Sequence, residues 1–228
     1  MATAPIPCFI TNRDLLTTPQ DMVERLKECD CVGEIVILDC GSTYPPLKEW
    51  YASCPVRVEF LSNLGSQALW RWGGFPGNGF YFESDSDLDL SDVPKDFLLR
   101  LMEGFAKYPH VKKAGLSLRI DDLPDDFPLK KHVVNHERQF WSKPLDEFWF
   151  EADIDTTAAL YRGGTGWGGY GPSLRSAPPY TARHVPWYMS AEAANGCPDW
   201  CWYLANHDQR MTHWSGILRR ITGPNGQT

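Results

Sequence analysis

The chain has 228 residues, of which 43% are apolar and 13% aromatic, so it can bury the core of one large domain or two small ones. Its 29 acidic side chains outnumber its 22 basic ones and give a net charge of -7, which argues against a nucleic-acid backbone as its partner. The sequence has neither a basic segment followed by an apolar run at its start nor an apolar run near the roughly 18 residues of a transmembrane helix, so we expect no signal peptide, no transmembrane segment and a cytoplasmic location.

Cysteine usage indicates neither a disulfide framework nor a zinc site. The chain has 7 cysteines, an odd number, and no two of them form a CxxC pair. Cys197 and Cys201 stand one helical turn apart, but no matching ligands accompany them elsewhere in the sequence. We therefore expect the cysteines to be reduced thiols.

The first third of the chain alternates apolar runs with amphipathic helical patterns. The predicted strands are residues 5–11, 33–42 and 56–62, and the predicted helices between them are residues 19–29 and 44–54. This order is typical of a single α/β domain whose mostly parallel, Rossmann-like central sheet carries helices on both faces. Ligands of such sheets bind beyond the carboxyl ends of the strands, where Asp39 and Asp85 stand.

The rest of the chain is less regular. It contains a predicted helix at 91–109, a strand at 112–120, an acidic loop at 121–128, a polar helix at 130–141 and a strand at 155–162. The segment 163–188, rich in glycine and tyrosine, is too long for an ordinary connection. We interpret it as an active-site wall or a mobile loop, on which Arg162 and Arg175 are candidates to bind phosphate, and we expect residues 222–228 to be disordered.

The most acidic stretch is GFYFESDSDLDLSDVP, residues 79–94, in which an apolar run ends in the four aspartates Asp85, Asp87, Asp89 and Asp92. Carboxylates that alternate after a strand end surround one small volume, and oxygen ligands suit Mg²⁺ or Mn²⁺. The alternative is a solvated acidic turn in which Asp89, Ser91 or Asp92 caps the next helix. The position at a strand end of a nucleotide-binding type of sheet favours a metal site.

Four motifs in this order resemble those of glycosyltransferases with the GT-A fold, the family-2-like group. GEIVILDCGSTYPPLKEWY resembles that group's EIIVVDDGSTD segment, VEFLSNLGSQALW its N-x-G-x-x-x-A segment, GFYFESDSD its strand followed by Asp-x-Asp, and PDWCWYLAN its late acidic pair at a helix start. The match covers roughly residues 5–215. It implies one GT-A domain over residues 1–221, with a nucleotide-binding half at 1–90 and an acceptor-binding half at 91–221.

The resemblance implies a hexosyltransferase-type enzyme that moves a sugar from a nucleoside diphosphate sugar, by analogy a UDP-sugar, to a carbohydrate or other hydroxyl acceptor. In this chain Asp39 would bind the nucleoside base, and Asp85 and Asp87 would reach the ribose and a divalent metal, Mn²⁺ or Mg²⁺. Cys40 stands where the group usually has a second aspartate, which leaves ribose recognition open. As an alternative, Asp39 is a turn residue before Gly41.

Further residues would line the same nucleotide pocket if the resemblance holds. They are Thr11, Asn12 and Arg13 at the end of the first strand, and Asn63 in the N-x-G-x-x-x-A segment. The alternative for Asn63 is a structural one, in which it holds a left-handed turn beside Gly65.

Two further roles implied by the resemblance fall in the last third of the chain. The third metal ligand is commonly a histidine, for which MTHWS offers His213, and the alternative is a structural histidine beside Trp214. An inverting transfer also needs a carboxylate that takes the acceptor proton. Asp199 matches the group's base position, although a helix N-cap is its alternative role, and Asp122 and Asp155 are the other candidates. A retaining transfer needs no such base, and the stereochemistry stays open.

Two other classes of protein fit parts of the sequence. FYFESDSDLDLS also resembles the first motif of haloacid dehalogenase-type phosphatases, with Asp87 as nucleophile and Asp89 as acid, but three predicted strands precede it and no later Gly-Asp pair completes that metal site. A non-catalytic carbohydrate-binding module would use some of the 10 tryptophans, with Trp167 and Trp187 as candidates for stacking on sugars. Such modules rarely need a parallel nucleotide-type sheet.

Overall fold

The computed structural model describes residues 4–169, 171–189 and 196–206. Its strands are β1 (Ile6–Asn12), β2 (Val32–Cys40), β3 (Arg57–Leu61), β4 (Phe80–Asp85), β5 (Leu88–Asp89), β6 (Lys113–Gly115), β7 (Ser117–Leu118), β8 (Trp149–Glu151), β9 (Ala159–Arg162), β10 (Ser173–Ser176) and β11 (Thr181–His184). Its helices are α1 (Thr17–Lys27), α2 (Pro45–Tyr51), α3 (Ala68–Trp72), α4 (Phe97–Lys107), α5 (Lys130–Glu137) and α6 (Pro198–Asn206).

Most strands form one sheet with the order β3-β2-β1-β4-β9-β6-β10-β8. Strands β3, β2, β1 and β4 are parallel, β9 runs antiparallel between β4 and β6, and β8 lies antiparallel to β10 at the edge. The expected α/β class with a mostly parallel central sheet is therefore confirmed. We call the edge where β2, β1 and β4 end the carboxyl edge; there Asn12 pairs with Asp39, and Thr11 pairs with Asp85.

Side-chain alternation along β1 and β2 places two apolar layers on the two faces of the sheet. Cys8 and Ile10 of β1 pack on one face with residues of α1, α2 and α4. Phe9, between them, packs on the other face with Leu69 of α3 and the aromatic ring of Tyr81. Helices thus cover both faces, as the strand and helix pattern predicts.

A second, small sheet lies next to the large one and has the order β5-β11-β7. The predicted strand 112–120 contributes to both sheets, because it breaks at Leu116, whose N–H bonds the carbonyl of Ala158 at 2.9 Å. β11 brings the second part of the glycine-rich segment back towards the carboxyl edge, where His184 pairs with Leu88.

The glycine-rich segment begins at the amino end of β4, away from the carboxyl edge, and returns from there to the Asp155 carbonyl through the indole N–H of Trp167 at 2.9 Å. The N–H of Gly163 bonds the carbonyl of Gly79 at 2.8 Å, next to the first residue of β4. Because β9 is antiparallel to β4, Arg162 pairs with Phe80 at the amino end, and its guanidinium lies 4.6 Å from the ring centre of Phe105. Arg162 therefore lies at the opposite edge of the sheet from Asp85.

Residues 222–228, for which we expect disorder, lie outside the described part of the chain. Within that part, no helix combines the length and the apolar character needed to cross a bilayer.

Candidate functional site

Asp39 ends β2 at the carboxyl edge and is almost fully buried, with 3% of its surface exposed. Its Oδ1 accepts a hydrogen bond from the N–H of Ser42 at 3.0 Å. Its Oδ2 is buried and makes no hydrogen bond of normal geometry with the described residues, although the hydroxyl of Tyr51 lies close enough to interact with this carboxylate. One oxygen thus holds the turn, as the structural alternative expects, and the other remains able to accept a hydrogen bond from a ligand.

Thr11 and Asn12 are buried beneath the candidate site, and their side chains hydrogen-bond to other protein groups. Asn12 is buried, donates to the Leu15 carbonyl and to the Tyr51 hydroxyl, both at 2.9 Å, and accepts from Ser86 Oγ at 2.7 Å. It therefore ties the end of β1 to the turn that follows β4. The hydroxyl of Thr11 donates to the buried Glu83 at 3.1 Å.

Arg13 is more open, with a side chain that is 23% exposed, and its Nε lies 3.8 Å from Asp14 Oδ2. Asp14 is a site residue that the sequence analysis missed. It is fully buried, has a left-handed φ of 58°, and accepts hydrogen bonds from the N–H groups of Thr43 and Tyr44 at 2.5 and 2.9 Å. These bonds fasten the loop after β2 to the loop after β1 and occupy N–H groups at the start of α2.

Asp85 ends β4 and receives a hydrogen bond from Thr156 Oγ1 at 3.0 Å. Burial, together with the negative charges of Asp87 and Asp155, raises the pKa of Asp85 well above its ordinary value. The structure therefore gathers the carboxylates of three predicted site residues around one small volume.

Asp87 lies in the turn that follows β4 and contacts a histidine that the sequence analysis did not predict. His184 Nε2 lies 3.2 Å from Asp87 Oδ2, and the His184 ring packs on Trp187 with 4.7 Å between ring centres. Asp87 Oδ1 and His184 Nδ1 are buried without a hydrogen-bond partner in the described ranges. Trp187, a candidate for sugar stacking, is itself buried and supports this histidine.

The carboxylate oxygens of Asp87 and the ring nitrogens of His184 are suitable ligands for a divalent cation. The remaining ligands of such a cation would be oxygens of a bound phosphate. Mg²⁺ is commonly held through one or two carboxylates and the phosphates of a substrate. Within residues 4–169, 171–189 and 196–206, no three His, Cys, Asp or Glu side chains gather into a closed metal site. The other predicted ligand, His213, lies outside these ranges.

Asp155 stands on the segment that enters β9, beside Asp85. Its Oδ1 accepts hydrogen bonds from the N–H and the hydroxyl of Thr157, the first at 3.1 Å. Asp155 is exposed at its surface; partial loss of solvent around its carboxylate raises its pKa, but the Thr157 bonds and the positive charge of Arg175 outweigh this effect and hold the pKa below its ordinary value. Asp155 is thus a carboxylate at neutral pH beside Asp85 and Asp87.

The contacts of Asp199 favour its capping role over that of a base. Its Oδ2 accepts the N–H groups of Leu16 and Thr17, both at 2.9 Å, and its Oδ1 accepts from the N–H of Trp200 and the thiol of Cys197, also at 2.9 Å. Asp199 therefore caps the start of α1, a helix far away in sequence, as well as its own. Burial raises the pKa of Asp199, but these four donated hydrogen bonds lower it further, to a value below the ordinary one.

Asp122 lies outside the carboxylate cluster, in an ionic network on the surface. Arg183 Nε donates to it at 2.9 Å, Tyr188 donates at 2.6 Å, and Arg119 forms an ion pair with it at 3.0 Å. Burial raises the pKa of Asp122, and these donors outweigh burial and lower it. Both of its oxygens are engaged by these partners.

Three other predicted residues have structural contacts. Asn63 Oδ1 accepts the N–H of Gly65 at 3.2 Å, which is the turn of the structural alternative. Cys40 is buried, with its sulfur 4.0 Å from the Gly65 carbonyl. Arg175 is 3% exposed and bonds the Asp153 carbonyl, so it does not face the carboxyl edge as a phosphate ligand.

No protein-family model and no curated protein matches the chain. Among solved structures, glucosyl-3-phosphoglycerate synthase from Mycobacterium tuberculosis in complex with phosphoglyceric acid is similar at 16% identity and a TM-score of 0.46, over 70% of this chain and 57% of that one. The same enzyme in complex with Mn²⁺ and UDP-glucose matches at 18% identity and a TM-score of 0.44, over 70% and 56% of the two chains. TarS from S. aureus matches at 13% identity and a TM-score of 0.46, over 97% and 44%.

The chain thus spans little more than half the length of the mycobacterial synthase.

Proposed function

We propose that this chain is a metal-dependent glycosyltransferase that moves a sugar from a UDP-sugar to a hydroxyl group of a saccharide acceptor. One observation carries the proposal: Asp39, Asp85 and Asp87 stand at the carboxyl edge of one sheet, and Asp39 Oδ2 and Asp87 Oδ1 are buried there without a hydrogen bond of normal geometry in the described part of the chain. Buried acceptors without partners cost stability, which supports a ligand at both atoms. The four sequence motifs support the same assignment.

The UDP-sugar would bind along these three aspartates, with its base at Asp39 and its diphosphate near Asp85 and Asp87. Asp39 Oδ2 accepts the N3–H of uracil, while Asp39 Oδ1 stays on Ser42. Arg13, partly exposed at the end of β1, supplies a positive charge for the diphosphate. The position of ligands at the carboxyl ends of parallel strands supports this orientation.

Asp87 and His184 are the residues that would hold Mn²⁺ or Mg²⁺. When bound, such an ion would neutralise the negative charge that develops on the departing diphosphate. Asp85 lies beside this pair, and its bond to Thr156 fixes the orientation of its carboxyl group.

Asp155 is the base that we propose for an inverting transfer. It takes the place of Asp199, whose oxygens accept four hydrogen bonds, and of Asp122, which is bound in its ionic network. Thr156, the residue after Asp155, donates a hydrogen bond to Asp85. Asp155 therefore lies beside the proposed sugar site, where it would take the proton from an acceptor hydroxyl.

Thermal unfolding with UDP, Mn²⁺, or both tests the proposal. A donor site should give a rise in melting temperature with the pair that exceeds the sum of the separate effects, as ligand linkage requires. Asp87→Asn should abolish that extra rise, whereas Asp126→Asn, an exposed aspartate away from the cluster, should keep it. A carbohydrate-binding module would ignore both ligands, and a panel of nucleotide sugars with Mn²⁺ would then show no hydrolysis.

The contacts of Asp89 weigh against the phosphatase alternative. Asp89 accepts the N–H of Ser91 at 2.8 Å and lies 3.8 Å from Arg183. One oxygen of Asp89 is thus held by a backbone N–H and the other faces a guanidinium, whereas the acid of that mechanism must be able to reach a leaving group.

A further inference from the structure

Two buried cations hold the segment 153–157, which leads into β9. Lys113, at the start of β6, donates to the carbonyls of Ile154 and Asp155, the second at 3.4 Å. Arg175, in β10, donates through Nε to the carbonyl of Asp153 at 2.8 Å. Three successive backbone carbonyls are therefore fixed by two side chains from neighbouring strands.

Both cations are removed from solvent, since Lys113 is 1% exposed and Arg175 is 3% exposed. Burying a charge is costly unless hydrogen bonds compensate it, and an apolar side chain would fill either position at lower cost to the fold. Arg175 has an acidic partner, Glu137, at 3.4 Å. The hydrogen bonds of Lys113 go only to the carbonyls of this segment within the described part of the chain.

The fixed segment carries the side chains next to the candidate donor site. Thr156 donates to Asp85 at 3.0 Å, and Thr157 orients the carboxylate of Asp155. A third donor, Trp167 Nε1, reaches the Asp155 carbonyl at 2.9 Å from the glycine-rich segment. Movement of the segment would therefore displace Asp85 and Asp155 together.

We infer that Lys113 and Arg175 are positioning residues, whose bonds to the carbonyls of Asp153, Ile154 and Asp155 hold Asp155 and Thr156 against Asp85 for transfer. This role rests on the proposed function, because it supposes that the reaction takes place at Asp85. It does not require either cation to touch a substrate.

Lys113→Met tests the role, with Lys112→Met, at an exposed neighbouring lysine, as the matched control. Hydrogen exchange measured by mass spectrometry should show faster exchange, by about tenfold or more, in peptides covering residues 153–158 of Lys113→Met but not of the control. Turnover of a UDP-sugar with Mn²⁺ should fall roughly 10- to 100-fold, the effect of a misplaced catalytic group, while the KM for the donor changes by less than about twofold. Arg175→Met, which removes the contact made from β10, should also speed hydrogen exchange in these peptides.

Trp167→Phe keeps the test open if the charge-removing variants do not fold, because it deletes the third donor from a partly exposed position. It should raise exchange in the same peptides and lower turnover by a smaller factor. Unchanged exchange at 153–158 and unchanged turnover, in variants that still bind UDP with Mn²⁺, would overturn the positioning role alone. An unaltered chain that ignores UDP with Mn²⁺ would overturn the proposed function, whatever the exchange experiment shows.

Discussion

His184 Nε2 lies 3.2 Å from Asp87 Oδ2, and this contact joins the turn after β4 to the end of β11. The pairing of β11 with β5 places His184 opposite Leu88, one residue beyond Asp87. The small sheet thus has a direct consequence for the candidate site, since it supplies the second protein donor for a cation.

We expect His184→Phe to abolish the Mn²⁺-dependent binding of UDP while UDP alone binds as before, because the phenyl ring keeps the packing on Trp187 but has no atom that can bind the cation. Titration calorimetry with and without Mn²⁺ measures both quantities. His110→Phe, at an exposed histidine, is the control and should behave like the unaltered chain. Equal Mn²⁺ dependence in the two variants would contradict a metal role for His184.

Asp39→Asn should weaken the binding of UDP by about 1–3 kcal/mol, the cost of leaving a buried polar group of the ligand unsatisfied. The amide oxygen of the new side chain can still accept the Ser42 N–H, so the turn is kept. The measurement is the dissociation constant of each of the four nucleoside diphosphates with Mn²⁺. A loss shared equally by all four would show that Asp39 acts through the turn and not on uracil.

Asp199→Ala should lower the free energy of unfolding by about 1–2 kcal/mol, the range for a lost helix cap, and leave the affinity for UDP with Mn²⁺ unchanged. Asp199→Asn should also destabilise the protein, because both oxygens of Asp199 accept N–H donors and an amide group would turn its own NH₂ towards one of them. Denaturant unfolding and turnover decide between the roles. A stable Asn variant without turnover would restore Asp199 as the base.

Lys113 makes stability depend on pH in the alkaline range. Burial lowers the pKa of Lys113 from 10.5 to about 8, although nearby Asp155, Asp153 and Glu83 oppose the shift. Between these two values the unfolded chain binds the proton and the folded chain does not, so this group makes the folded state more stable as pH rises. The stability difference between the unaltered chain and Lys113→Met should therefore change by up to about 3 kcal/mol from pH 8 to 10.5, in favour of the unaltered chain.

Unfolding by urea at several pH values measures this difference, and the comparison between the two proteins cancels the titration of the other groups. Lys112→Met is again the control, and its difference from the unaltered chain should stay constant. A constant difference for Lys113→Met as well would show that Lys113 has its ordinary pKa in the folded protein.

Local patterns in the sequence were enough to predict the first half of the sheet. The strands predicted at residues 5–11 and 33–42 occur at Ile6–Asn12 and Val32–Cys40, because a buried parallel strand is a continuous apolar run. Asp39 lies at the end of the second of these strands, and Asp85 ends the apolar run that forms β4. Their place at the carboxyl edge was therefore predictable from the order of elements alone.

Contacts between distant segments were not predictable in this way. His184 reaches Asp87 only because β11 pairs with β5, a register that no local period reveals. Arg175 lies in a segment whose glycine content indicates an exposed loop, yet β10 places it in the interior with Glu137. Asp199 looked like the cap of its own helix, and its bonds to the start of α1 depend on the packing of α6.

β9 runs against both of its neighbours, β4 and β6. Because of this reversal, the beginning of β9 reaches the carboxyl edge, and the chain arrives there from β8 at the far margin of the sheet. Insertions or deletions in the segment between β8 and β9 would alter the surface beside Asp85. They would leave the loops that carry Asp39 and Asp87 unchanged. The two sides of the candidate site can therefore diversify separately, which under the proposed function would let related chains keep one sugar donor while they exchange acceptors.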